Sequence, residues 1–156
     1  ILQFEIEGRR VLDLFAGTGQ LGIECLSRGA AKAVFVDQRT DAVRLIQENL
    51  ALTELADRAE VICGSALDVV ARAHGTFDII FLDPPYQTGL LEKALEQIAA
   101  FDILNPHGII AAEHPADRPP VSPTETCRLH RTYRYGKIGL TIFRRAENHR
   151  NEGETP

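Results

Sequence analysis

The sequence predicts an α/β fold: a mostly parallel seven-stranded sheet with helices on both faces and an antiparallel C-terminal hairpin strand. Three observations lead there. Short apolar runs alternate with segments of helical periodicity up to about residue 113, the pattern of consecutive strand–helix–strand units. Polar or glycine-containing turns follow the ends of these runs. Two further strand-like segments then meet with only a short turn between them, which closes a sheet with a hairpin rather than with another crossover.

The elements follow in chain order. Arg10 to Phe15 is a short apolar strand that runs into a glycine-rich turn. Leu21 to Arg28 reads as a helix ended by Gly29. Ala33 to Val36 forms the second strand, closed by Asp37. Thr40 is suited to cap the next helix, whose Ala42, Val43, Leu45, Ile46, Leu50 and Leu52 recur at helical spacing. Glu60 to Cys63 is the third strand, residues 66–73 a short helix, and Phe77 to Leu82 a buried fourth strand. Leu90, Leu91, Ala94, Leu95, Ile98 and Ala99 mark another amphipathic helix. Asn105-Pro106-His107-Gly108 predicts a turn into a fifth strand, Ile109 to Glu113. Four prolines make 115–123 a loop, and 127–135 with 138–144 form the closing hairpin through Tyr135-Gly136-Lys137. The expectation is one domain over 1–145 and a polar, disordered tail over 146–156.

Composition narrows the function classes. The chain has 156 residues, 44% hydrophobic and 25% charged, which suits one globular domain with a real core. No apolar stretch approaches the ~20 residues that span a membrane, and Ile1-Leu2-Gln3-Phe4-Glu5 lacks the basic start of a signal peptide. Cys25, Cys63 and Cys127 are odd in number and far apart, which fits neither a disulfide framework nor a CxxC metal site. Cys25 and Cys63 fall in apolar patterns and are expected to be buried, reduced thiols, which points to the cytosol. His74, His107, His130 and His149 show no metal-ligand spacing. Met is absent throughout, so a trimmed chain or fragment, with residues missing upstream, is expected. Charge is divided unevenly: residues 1–117 hold 9 Lys and Arg against 18 Asp and Glu, and residues 118–150 hold 8 against 2. That split permits a polyanion on the C-terminal side or, equally, a solvated basic strand face.

Two motifs carry chemistry. Asp13-Leu-Phe-Ala-Gly-Thr-Gly-Gln-Leu-Gly22 joins the first strand to the first helix, and Gly17, Gly19 and Gly22 match G-x-G-x-x-G. Glycines there allow a tight turn and a close ligand. Asp37, at the end of the second strand, can accept hydrogen bonds from both hydroxyls of a ribose. A dinucleotide would set its pyrophosphate on the helix N-terminus. S-adenosylmethionine (SAM) has no phosphate, and Asp13 favours it because a carboxylate would repel a pyrophosphate. Asp13 could instead stabilise the turn through local N–H groups. Gly64-Ser65-Ala66 follows the third strand where an adenine edge would lie; Ser65 is a donor to that ring or the N-cap of the following helix.

The second motif is Asp83-Pro84-Pro85-Tyr86, placed at the carboxyl end of the fourth strand, the end at which open α/β sheets bind ligands. The prolines remove two backbone donors and leave carbonyls free as acceptors. An aromatic exocyclic amine is a poor nucleophile because its lone pair is delocalised. Acceptors at Asp83 and the Pro84 carbonyl would favour a pyramidal nitrogen and stabilise the positive charge that develops as a methyl group arrives. Tyr86 offers a face on which a base could stack, worth ~1–3 kcal/mol in single-stranded nucleic-acid sites. A base inside folded RNA or a duplex would have to be flipped out. Glu113-His114 ends the fifth strand at the same sheet edge, and either residue could line the pocket.

Together these residues resemble the class I SAM-dependent methyltransferases that methylate amines. The D-x-F-x-G-x-G at 13–19 and D-P-P-Y at 83–86 carry the likeness, most closely to the bacterial 16S rRNA guanine-N2 methyltransferases of RsmD type. Val36-Asp37, Asn49-Leu50, Gly89-Leu-Leu91, Glu113-His114 and the Tyr135-Gly136 hairpin ending in Phe143-Arg-Arg extend it over about residues 9–145. The resemblance implies a Rossmann-like class I methyltransferase fold. It implies SAM contacts from Asp13, Phe15, Gly17, Gly19 and Asp37, with Ser65 and Ala66 at the adenine end. It implies target-base contacts from Asp83, Pro84 and Tyr86, and one guanine of 16S rRNA in the small ribosomal subunit as acceptor. No metal is implied, a monomer is favoured, and the location is cytoplasmic. The family's Arg-, Pro- and Thr-rich segment before the first strand is not in this sequence, and many relatives have Asp or Asn in place of Ser65. Rival readings are an adenine-N6 methyltransferase on DNA or RNA, a glutamine-side-chain methyltransferase, a SAM- or RNA-binding module without turnover, and a dinucleotide oxidoreductase.

Overall fold

The computed structural model describes residues 5–73, 75–85 and 88–145. Seven strands are β1 Arg10–Asp13, β2 Lys32–Asp37, β3 Ala59–Cys63, β4 Phe77–Leu82, β5 Leu104–Pro115, β6 Cys127–Tyr135 and β7 Ile138–Arg145. Four helices are α1 Gln20–Ser27, α2 Thr40–Leu52, α3 Ala66–Ala71 and α4 Leu90–Phe101. The strands form one sheet in the order β3-β2-β1-β4-β5-β7-β6. The first five pair in parallel, while β7 runs antiparallel between β5 and β6. This is the Rossmann-like class I methyltransferase arrangement.

Two apolar layers flank the sheet. Leu12, Val34, Ile80, Ile110 and Phe143 face α3 and α4, whose Val70, Leu91, Leu95 and Ile98 close that core. Val11, Phe35, Ile79 and Ile142 face the other way, and α1 and α2 cover part of this side with Cys25, Leu26, Ile46 and Leu50. The alternation along each strand delivers successive side chains to opposite faces. In α2 only Ala42, Ile46 and Leu50 are buried, at a spacing of four, and Leu45 and Leu52 face solvent.

Gly22 fixes how closely α1 can approach β2. A Cβ there would lie 2.3 Å from Cε1 of Phe35, a ring with no exposed surface. The third glycine of the motif therefore serves helix–sheet packing. Gly22→Ala should destabilise the fold by about 1–3 kcal/mol through overpacking. A urea melt with a lowered midpoint and unchanged slope is expected, and an unchanged midpoint would contradict the packing role.

Several expectations are corrected in detail. Arg39, not Thr40, holds the N-cap position of α2, and no side chain caps that helix. Asn105 to Gly108 lie inside β5 rather than before it, in an irregular stretch where the register with β4 shifts and His107 takes φ 62°. Cys63 is exposed while Cys25 and Cys127 are buried. The reason is position: Cys63 ends the edge strand β3, which has one neighbour. A short 3₁₀ turn at Ala56–Arg58 was not foreseen. Among the described residues no helix is long and apolar enough to cross a membrane. The tail over 146–156 lies outside the described residues.

Candidate functional site

The strand order places a crevice where β1 and β4 lie side by side, because the chain builds outward from β1 to β3 on one side and from β4 to β5 on the other. Ligands bind at such a switch point, beyond the carboxyl ends of the strands. A cavity of about 630 Å³ opens there. Its walls come from the β1–α1 loop (Leu14, Phe15, Gly17), the end of β2 (Asp37, Gln38, Arg39), Gly64 and Ala66, the β4 end (Asp83, Pro84, Pro85), Leu90 and Glu113.

Backbone hydrogen bonds hold the β1–α1 loop against the sheet. Leu14 donates to the Phe81 carbonyl, Ala16 to Val36 and Gly19 to Ala16. Gly17 and Gly19 take φ 57° and 80°, a region that L side chains rarely adopt. Asp37 ties this loop to β2. Its Oδ2 accepts the Gly17 N–H at 3.0 Å and its Oδ1 accepts the Arg39 N–H at 3.0 Å. The Arg39 guanidinium lies 3.6 Å from the same Oδ1. A carboxylate offers about four lone-pair directions, so Asp37 can hold the loop and still accept from a ligand in the cavity.

Asp13 does not line the cavity. It is 2% exposed and sits behind the wall at the end of β1. Burial first, and then the neighbouring Asp83 charge, push its carboxyl up to about 7 against the opposing Phe15 N–H. A carboxyl raised in this way is protonated in the folded chain at a pH where the unfolded chain has already lost its proton. Stability from this group is therefore complete below about 4 and is lost as pH rises to about 7. Asp13→Asn, which keeps the shape and removes the titration, should flatten the fall in stability over that window. Unaltered pH dependence in denaturant melts would contradict this.

Asp83 and Glu113 meet across the ends of β4 and β5. Loss of solvent raises both carboxyls above the ordinary range, and a hydrogen bond joins them. Two carboxyls in contact oppose each other's ionisation, and the Asp83 charge raises Glu113 further. The Pro84 carbonyl accepts from no described residue, whereas Thr88 Oγ1 donates to the Pro85 carbonyl at 3.0 Å. The turn thus offers a carboxyl beside a carbonyl to which no described residue donates.

Of the residues singled out in the sequence, the cavity gathers Phe15, Gly17, Asp37, Ala66, Asp83 and Pro84. Gly19 instead begins α1 as its N-cap. Ser65 lines a neighbouring cavity of about 390 Å³ beneath α3 and holds the N-cap position of that helix without a side-chain bond. Tyr86 lies outside the described residues. His114 is buried, with Nε2 2.7 Å from Thr141 Oγ1 and Nδ1 2.8 Å from the Pro115 carbonyl, a packing role. Gln38, Arg39 and Leu90 were not foreseen in the wall; of these, Gln38 and Arg39 could have been found from their position just after Asp37. Among the described residues no cluster of three or more His, Cys, Asp or Glu is disposed to hold a metal ion.

The cavity's acceptors suit a nucleoside without phosphates: carboxyl groups at Asp37, Asp83 and Glu113, with Arg39 already engaged by Asp37. An anionic pyrophosphate would meet repulsion from three of these groups.

The family described as "conserved hypothetical protein 95" matches residues 1–144. "Putative rRNA methyltransferase YlbH" of Bacillus subtilis is 39% identical over 144 residues, covering 89% of this chain and 77% of that protein. "Ribosomal RNA small subunit methyltransferase D" of Haemophilus influenzae is 36% identical over 115 residues, covering 72% of this chain and 60% of its own length. The chain therefore spans somewhat more than half to three-quarters of these relatives. The solved structure titled "Putative methyltransferase yhhF from Escherichia coli" superposes with a TM-score of 0.85 at 29% identity, covering 91% of this chain and 80% of that one.

Proposed function

The chain belongs to the conserved hypothetical protein 95 family, the RsmD type, and from that premise we propose that it methylates the exocyclic N2 amine of a guanine in small-subunit ribosomal RNA. The observation that carries the reading is the joined cavity: the loop and Asp37 on one side, the Asp83-Pro84 turn on the other, around one space. Such a space suits a methyl donor and an acceptor amine held together, where alignment does most of the catalytic work. We assign SAM as the donor, in keeping with the methyltransferase names of the relatives; when bound, SAM supplies a methyl group activated by a sulfonium.

The chain's own residues then have distinct tasks. Asp37 accepts the ribose hydroxyls while its other lone pairs keep the glycine loop in place. Phe15, Leu14 and Ala66 provide apolar walls that exclude water. Asp83 and the Pro84 carbonyl accept the two amine hydrogens, which orients the nitrogen lone pair and stabilises its developing positive charge. The proton that the nitrogen finally loses has a natural acceptor in the Asp83 carboxylate, which desolvation makes more basic than an ordinary one. Tyr86 is assigned to stack on the base.

Small ribosomal subunits from cells lacking their methylations, incubated with this chain and methyl-labelled SAM, test the reading. N2-methylguanosine is expected in the nuclease digest. N6-methyladenosine would instead support the neighbouring reading, since Asp83-Pro84 suits either amine.

A further inference from the structure

We infer that a trough from the sheet-end cavity to the tip of the β6–β7 hairpin carries the phosphate backbone of the RNA strand that presents the target base. This rests on the RNA reading above and adds to it a place and a polarity. Three cavities adjoin in series. The sheet-end cavity shares the wall Pro84, Pro85 and Glu113 with a second cavity of about 380 Å³. That one shares Pro115 and Arg118 with a third of about 670 Å³, beside the hairpin tip.

Charge changes sign along the trough. The end near Asp83 and Glu113 is acidic, as an amine requires. The far end presents Arg118, Arg134 and Lys137 against a single acid, Asp117. All three cations are exposed, and none pairs with a carboxylate among the described residues. By contrast Arg9, Arg28, Lys32, Arg39 and Arg145 each pair with one. The fold assembles the three cations from two segments: Ala116 N–H donates to the Lys137 carbonyl at 2.8 Å, and Arg118 N–H to the Pro115 carbonyl at 3.0 Å. That turn brings Arg118 beside the hairpin. Arg134 Nε is held by the Gly136 carbonyl at 3.1 Å, which steadies the guanidinium and leaves its terminal nitrogens to bind.

The arrangement answers an electrostatic problem of the proposed reaction. Acceptors that bind an amine repel the phosphates on either side of it. A strand can enter only if its backbone is held elsewhere, and the cationic end supplies that hold without placing positive charge beside the amine. Residues 118–145 hold seven Lys and Arg against Glu125 alone, so the cations have little internal competition.

The test compares the unmodified chain with Arg118→Gln/Arg134→Gln/Lys137→Gln and with Arg28→Gln/Arg44→Gln, whose sites at the C-cap of α1 and on α2 lie off the trough. The probes are a 20-nucleotide single-stranded RNA and S-adenosylhomocysteine. The triple variant should lose about tenfold or more in RNA affinity, and its log–log salt slope should shrink by about 2, for three phosphate contacts. Its S-adenosylhomocysteine affinity, which reports an intact fold and cavity, should not change, and neither should the control variant's RNA affinity. Unchanged RNA affinity and slope in the triple variant would overturn the trough, as would tighter binding of polyglutamate than RNA by the unmodified chain. Loss of RNA binding with no methyl transfer by any version would uphold the trough and count against the methyltransferase reading. Undiminished transfer to RNA by the triple variant would do the reverse.

Discussion

Asp83→Ala should reduce methyl transfer by about 10²–10³-fold while leaving S-adenosylhomocysteine affinity within about threefold. The rate figure follows from removing one preorganised electrostatic partner of the developing charge. The affinity figure follows from position. Asp83 lies at the end of β4, partly desolvated by the cavity wall yet still open to solvent and outside both apolar layers, so truncation leaves no buried void. It also removes a negative charge that bears on Asp13 and Glu113, which should leave the fold slightly more stable at neutral pH. Transfer and affinity falling together would show instead that Asp83 holds the structure.

Asp37→Ala should weaken S-adenosylhomocysteine binding by about 10- to 100-fold, the range expected for hydrogen bonds to a charged group. Two effects contribute. The ligand loses the acceptor assigned to its ribose, and the Gly17 and Arg39 N–H groups lose the carboxylate that fixes the loop. A cycle with a 2′-deoxyribose analogue separates them. If the carboxylate acts through the hydroxyl, the substitution and the deoxy change should not be additive. Full additivity would leave Asp37 as a loop tether only, and unchanged affinity would refute both roles.

The sequence carried most of the fold because the strands and helices of this chain each bury one clear face. Phe77 to Leu82 is apolar except at Asp78 because both faces of β4 are buried, and its ends were read without error. An antiparallel strand beside β5 was readable from the two strand segments that meet at Gly136; that this strand is β7, with β6 outside it, was not. What escaped depends on tertiary neighbours. Cys63 looks buried by local pattern, but β3 is an edge strand. Asn105-Pro106-His107-Gly108 has turn chemistry, and β5 accommodates it as an irregularity instead of stopping.

The candidate site shows the same division. Residue type and strand end pointed to Gly17, Asp37, Asp83 and Pro84, the resemblance added Phe15, and one cavity holds all five. They did not reveal that Asp13 faces inward, that Ser65 lines the adjoining space, or that Asp37 already bonds two backbone N–H groups. Each of those facts concerns direction, which the order of residues leaves open. The partnership of Asp83 with Glu113 arises because β4 and β5 are neighbours, a relation 30 residues apart in the chain and visible only once the sheet is assembled.

The central claim is that one cavity holds the methyl donor against the Asp83-Pro84 turn, and a crystal structure with S-adenosylhomocysteine tests it most directly. The expected complex has ribose hydroxyls on the Asp37 carboxylate and the sulfur facing Asp83 and Pro84. Ligand seated in the cavity beneath α3, among Ser65, Asp68 and Arg72, would contradict it.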